Sequence, residues 1–148
     1  PRDPYEEKLL ALVDHHHTGF VLRSLDAIQR LRPDKQIETA LERGYAYYAQ
    51  RLITRDGVPV NAYARYPIDI HACAEAVLCH ARLKHRFPEA QSHASTALEW
   101  AYRNMRNPKN DLPHYRKYPT HTTRLPCPRW GTAWIYRALA EYLFQFGE

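Results

Sequence analysis

The chain has 148 residues, 45% of them apolar and 25% charged, with a formal net charge of +5. That is enough polypeptide for one domain with a core, and no apolar run nears the roughly 20 residues of a membrane span. Lys and Arg alternate with Asp and Glu along every segment, and no nucleic-acid motif is present. The positive balance therefore reads as a solvated surface, and no nucleic-acid partner is expected.

The chain opens on Pro1-Arg2-Asp3-Pro4, with no apolar signal region and no initiator Met. It is expected to be processed, trimmed or part of something longer. Pro4 to Val13 reads as a short helix or the end of one. Thr18 to Arg32 reads as a helix with Phe20, Val21, Leu25, Ile28 and Leu31 as its apolar stripe. Pro33 ends it, and Asp34 caps a second helix running to about Ile53, with Ile37, Leu41, Tyr45, Tyr48 and Leu52 on one face. Arg55-Asp56-Gly57 is a tight turn. Val58 to Tyr66 alternates apolar and polar residues, as a short strand or an extended loop. Asp69 is placed to cap a helix through about Phe87, burying Ile70, Cys73, Ala74, Val77 and Ala81. Pro88 breaks that helix and starts another, carrying Ala94, Ala97, Leu98, Ala101, Tyr102 and Met105 to about Arg106. Residues 107–128 contain five prolines and no periodicity, so a loop of about 20 residues is expected. The last helix, Trp130 to Phe146, is expected to bury Trp134, Leu139, Tyr142, Leu143 and Phe146.

The elements make an all-α fold of helical hairpins. Thr18–Arg32, Asp69–Phe87 and Trp130–Phe146 would form an inner layer, with the intervening helices outside. Each inner helix is entered through a polar, aromatic-rich turn: His15-His16-His17, Tyr66-Pro67-Ile68-Asp69-Ile70-His71 and Cys127-Pro128-Arg129-Trp130. His17, His71 and Trp130 stand 54 and 59 residues apart. A near-regular period of this size is the signature of stacked helix pairs. It gathers the three entries at one end of the layer.

The residue types at these entries suit chemistry. A helix start offers free N–H groups, and His16 and His17 precede one. Histidine serves as a base near neutral pH. Asp69 and His71 flank a second helix start, with Glu75 one turn beyond: an acid, a base and a second carboxylate within reach of proton transfer. The alternative is an N-cap Asp, a partly buried His and a solvated Glu. Tyr66, Tyr115, Arg116, Arg129 and Trp130 mix flat aromatic faces with cations, which stack on sugar rings and grip carboxylates. Trp134, a turn further in, reads as core. No Cys-x-x-Cys or His-Glu-x-x-His occurs, and His71 and Cys73 are too close for two ligands from one helix face, so no metal is expected. The five glycines form no phosphate loop, so no cofactor is expected. Cys73, Cys79 and Cys127 are odd in number, which points to a reducing compartment, the cytoplasm.

His16-His17-Thr18-Gly19-Phe20-Val21-Leu22, Tyr66-Pro67-Ile68-Asp69-Ile70-His71-Ala72-Cys73-Ala74-Glu75-Ala76 and Pro128-Arg129-Trp130-Gly131-Thr132-Ala133-Trp134 resemble the C-terminal half of bacterial six-hairpin, glycosidase-like (α/α) toroid proteins of exopolysaccharide and capsule gene clusters. The resemblance spans Asp14 to Phe146. Its wider superfamily includes unsaturated glucuronyl hydrolases and N-acylglucosamine 2-epimerases. It implies one domain over residues 1–148, forming the C-terminal half of an (α/α)6 toroid with a sugar cleft at one mouth. That cleft would involve His16, His17, Asp69, His71, Arg129 and Trp130. The partner implied is a saccharide or uronic-acid-containing oligosaccharide. Six hairpins need more chain than this, so either a missing N-terminal half or an oligomer partner would cover the open helix faces. A carbohydrate-active domain is the leading reading. Paired carboxylates would mean glycoside hydrolysis, and paired histidines proton abstraction beside a carbonyl, as in epimerases. A non-catalytic helical-repeat scaffold is the alternative.

Overall fold

The computed structural model describes residues 13–147. The short helix expected from Pro4 lies outside the described residues, save for Val13. Five helices follow. α1 spans His15–Leu31, α2 Lys35–Arg51, α3 Ile70–Leu83, α4 Ala90–Met105 and α5 Ala133–Phe146. Helix α3 packs against α1, α4 and α5, and α1 packs against α2. The inner layer is thus α1–α3–α5 with α3 in the middle, and α2 and α4 lie outside it.

Local chemistry sets the starts. The Asp34 carboxylate accepts from the Gln36 and Ile37 N–H groups, and that of Asp69 accepts from the His71 N–H. α1 begins three residues earlier than its apolar pattern suggests. Asp14 caps it, accepting from the His17 N–H at 2.7 Å, so the three histidines form its first turn rather than an extended entry. Gly57 closes the turn after α2 at φ +83°, and a Cβ there would lie 2.6 Å from the Thr96 carbonyl carbon. Residues 58–66 form no strand. Pro59 makes an isolated bridge with Ile53, and the Ala62 N–H donates to the Val13 carbonyl.

Burial explains the layering. Eleven of the 14 residues of α3 are buried, including Cys73, Ala74, Ala76, Val77, Leu78 and Ala81. The small side chains let α1, α4 and α5 approach it, and each buried Leu or Val contributes about 1.5–3 kcal/mol. α4 turns Ala90, Ala94, Ala97, Ala101 and Met105 inward, and α2 turns in Leu41, Tyr45 and Tyr48.

Two expected faces are wrong. α1 buries His15, Gly19, Leu22, Asp26 and Gln29, while Val21, Ile28 and Leu31 are 55%, 47% and 88% exposed. The buried polar groups have distant partners: Asp26 meets Arg86 and His85, and Gln29 donates to Glu38. α5 buries Ile135 and Ala138. Leu143 and Phe144 are 64% and 83% exposed, and Trp134, Leu139, Tyr142 and Phe146 are half-buried. Both helices are edges of the layer, so one side of each has no neighbour among the described residues.

The long segment before α5 is not structureless. β2 (Arg116–Lys117) pairs antiparallel with β1 (Ile68–Asp69) and with β3 (Thr122–Thr123), in the order β1-β2-β3. The register sets Arg116 opposite Asp69. A π-helical turn, Pro128–Thr132, then leads into α5.

Candidate functional site

The starts of the three inner helices converge. His16, in the first turn of α1, packs its ring 3.7 Å from that of His71, in the first turn of α3. Phe20, one turn below His16, meets its ring edge-on at 4.5 Å and that of Trp134 at 5.5 Å. Trp134 lies 4.8 Å from His71, and the exposed Trp130 lies 5.9 Å from it. A cluster of five aromatic or imidazole rings therefore covers one end of the inner layer. His17 points outward, its Nδ1 2.6 Å from Asp14 Oδ2.

A cavity of about 340 Å³ opens beside the histidine pair, lined in part by Asp14, His16, Tyr63, Asp69, His71 and Arg116. Asp69 is placed there by two contacts. One oxygen caps α3, and the other accepts from Arg116 Nε at 2.8 Å, as the β1–β2 register allows. That bond raises the Arg116 pKa. A smaller apolar crevice between α4 and α5, about 80 Å³, has few polar groups by comparison.

Burial disfavours the charged forms of His16 and His71. Burial is the main cause of the low pKa of His16, pushed down to about 4, and the neighbouring His71 and His17 add to it. Burial also lowers His71, with Asp69 opposing and His17 assisting. His16 Nδ1 and His71 Nε2 are enclosed without a hydrogen-bond partner among the described residues. Each is a donor or an acceptor according to the ring's tautomer. At Asp14, burial raises the pKa, but hydrogen bonds from the His17 N–H and ring outweigh it, and the net shift is downward.

Other expected site residues fall elsewhere. Glu75 is fully buried between α1 and α3 rather than at the cavity. Arg23 Nε donates to its Oε1 at 2.7 Å, and Arg23 Nη2 to its Oε2 at 2.8 Å. Burial raises the Glu75 pKa, and the Arg23 bonds oppose that rise. Tyr66 and Tyr115 are half-buried against the core. Arg65 lies over the ring of Tyr66 at 5.9 Å, and Arg116 over that of Tyr115 at 4.6 Å. Arg129 is exposed and has no ion pair among the described residues. The sequence reading did not single out Asp14, Asn61 and Tyr63, which line the cavity, or Phe20 as a member of the ring cluster; Trp134, expected in the core, packs against it and also against His71. The Asp14 signal was present, since an Asp three residues before a helical N–H is a capping pattern. Among the described residues no three His, Cys, Asp or Glu side chains stand close enough to hold a metal ion. No described helix is long and apolar enough to cross a membrane.

No family model matches the chain, and no curated protein matches it. Two solved structures do. One is cellobiose 2-epimerase from Bacillus thermoamylovorans, with a TM-score of 0.75 and 9% identity over 91% of this chain. The other is a glycoside hydrolase of family 105 from C. acetobutylicum, with a TM-score of 0.66 and 12% identity over 84% of this chain. The alignments span 40% and 38% of those proteins. At such identity the likeness shows the fold alone: the helical hairpins of this chain match part of an (α/α)6 toroid.

Proposed function

We propose that this chain is the sugar-binding, C-terminal part of an (α/α)6 toroid and supplies the histidine base of an epimerase-like reaction. The observation that carries this is the His16–His71 pair. Two imidazoles from two inner-helix starts lie tilted against each other, their centres 3.7 Å apart, beside a cavity, and each has a ring nitrogen without a hydrogen-bond partner among the described residues. A neutral imidazole of this kind removes a proton from the carbon beside a sugar carbonyl, and the imidazolium can return it. His71 is the base, His16 accepts or returns the proton beside it, and Asp69 with Arg116 holds sugar hydroxyls. Trp130 and Trp134 stack on the sugar ring. His17 orients the Asp14 carboxylate, Arg129 borders the mouth, and Tyr66 and Tyr115 support it from the core side. Glu75 positions α1 against α3 through Arg23.

A second reading is glycoside hydrolysis by Asp14 and Asp69, favoured by their lining the same cavity. It is the weaker one. Each carboxylate already accepts the N–H of its own helix start, and the lowered pKa of Asp14 unsuits it to donate a proton.

The exposed apolar faces of α1 and α5 support a larger assembly. Val21, Ile28 and Leu31 on one edge, and Tyr136, Leu143 and Phe144 on the other, are where an N-terminal half or a partner chain would close the ring. The three entry motifs favour a role in bacterial polysaccharide synthesis or modification, and the free cysteines favour the cytoplasm.

The test is a screen of the intact protein against reducing disaccharides, uronic-acid oligosaccharides and nucleotide sugars, followed by NMR. New signals from a sugar epimerised beside its carbonyl are expected. Release of new reducing ends, lost in Asp69→Asn, would favour hydrolysis instead.

A further inference from the structure

A second constellation lies on the open side of the inner layer. Arg23 and Arg30 of α1, Arg82 of α3 and Arg137 of α5 line one cavity of about 260 Å³ with Ser24 and Ala27. No residue of α2, α4 or a loop lines it, so it faces away from the outer helices. Four guanidinium groups around one cavity repel one another unless anions stand among them.

Three of the four have a carboxylate in this chain. Arg23 grips Glu75 with two hydrogen bonds. Arg82 lies 2.8 Å from Glu141, and Arg30 lies 2.8 Å from Asp26. Asp26 also meets Arg86 and His85, and Arg86 in turn holds Glu38, so the two carboxylates Asp26 and Glu38 balance Arg30 and Arg86. Arg137 has no carboxylate partner among the described residues; its guanidinium lies over the Trp134 ring at 5.0 Å. Among the described residues it is the one arginine of the four without an ion-pair partner, near enough to Glu75 to act on its charge, and it lines the cavity.

The cavity lies further along the same inner helices than the histidine mouth, and no residue lines both. Arg23 lies over Phe20 at 4.9 Å, as Arg137 lies over Trp134. The same two rings contact His16 at 4.5 Å and His71 at 4.8 Å. Two aromatic rings thus join the proton-transfer pair to the arginines.

We propose that this cavity is an oxyanion subsite in which Arg137 is the principal cation, with Arg30 and Arg82 beside it. Its ligand is a carboxylate or phosphate group carried by a sugar. The planar fork of Arg matches either group with two N–H donors. The identity of the ligand as a sugar rests on the proposed function; the binding of an oxyanion does not.

The test is calorimetric titration of the intact protein at low ionic strength with phosphate, glucose 6-phosphate, glucuronate and uncharged cellobiose. Wild type, Arg137→Ala, Arg137→Gln and Arg137→Lys are compared, each with its melting temperature. At least one anion should bind wild type. The Ala and Gln variants should lose roughly tenfold or more in affinity, as expected for one charge-assisted bond, and Lys should lose less. Melting temperatures and any cellobiose affinity should hold. Preference for glucuronate assigns the carboxylate, and preference for the phosphates assigns the ester. Anion binding without any sugar response supports this subsite and counts against the sugar reading. No anion bound by wild type, or undiminished affinity in both Ala and Gln variants, overturns the proposal.

Discussion

Lowering the pH from 7 to 5 should destabilise this fold through a histidine that takes no part in the mouth. His80 is fully buried on α3. Its Nδ1 lies 2.9 Å from the Tyr45 hydroxyl, and its Nε2 is enclosed without a partner among the described residues. Tyr48 and His93 pack at 5.4 and 4.9 Å. Burial, then the neighbouring His93, pushes its pKa down to about 3 from 6.5. The folded protein therefore resists protonation that the unfolded chain accepts. Stability is full above the unfolded value and falls as pH drops through 6.5 toward 3. At pH 5 the loss from His80 alone is about 2 kcal/mol. Buried His15 acts in the same sense, and Glu75, whose pKa burial raises, acts in the opposite sense. The readout is therefore a comparison. Urea unfolding followed by tryptophan fluorescence at pH 7, 6 and 5 gives the slope for wild type and for His80→Leu. The variant should be less stable at pH 7, since the Tyr45 hydroxyl loses its partner at a cost of about 1–3 kcal/mol. Its loss between pH 7 and 5 should be smaller than that of wild type by about 2 kcal/mol. Equal slopes would refute the reasoning.

Three further outcomes follow from the packing and the mouth. Gly19→Ala puts a Cβ 2.6 Å from Glu75 Cγ, in a side chain that Arg23 holds in place; a loss of about 1–3 kcal/mol is expected by urea unfolding, and an unchanged midpoint would contradict the α1–α3 contact. Asp69→Asn should cap α3 nearly as well and leave the melting temperature close to wild type, whereas Asp69→Ala should cost about 1 kcal/mol; sugar affinity should fall in both, and a normal isotherm for Asn would remove the carboxylate from the site. Trp130→Ala should weaken sugar binding while changing stability by no more than about 0.5 kcal/mol, because the ring is already exposed.

What the sequence disclosed followed from locality. Asp34 and Asp69 were recognisable as caps because a carboxylate reaches the N–H groups two or three residues on. The repeat of His17, His71 and Trp130 correctly put the inner-helix starts at one end, because helical hairpins return the chain to the same side. The buried face of α1 was misread because its polar members are stabilised by partners far along the chain. Asp26 meets Arg86, and Gln29 meets Glu38, and neither pairing leaves a periodic trace. The exposed Val21 and Leu143 belong to edges with no neighbour among the described residues, so apolar character did not translate into burial. The ribbon Arg116–Lys117 is two residues long, too short for alternation to show, yet it delivers Arg116 to Asp69. The His16–His71 contact depends on how closely α1 and α3 approach, which Gly19 and the alanines of α3 govern. Glu75 shared the face expected of it, but that face is the α1 interface.

The central claim is that a neutral histidine at this mouth removes a proton beside a sugar carbonyl. Incubation of the intact protein with its sugar in deuterium oxide tests it directly, by NMR of the carbon next to the carbonyl. Wild type should wash deuterium into that position, His71→Asn should abolish the exchange, and His16→Asn should slow it, with all three proteins folded. Turnover of the sugar without deuterium at that carbon, or full exchange in His71→Asn, would contradict the account.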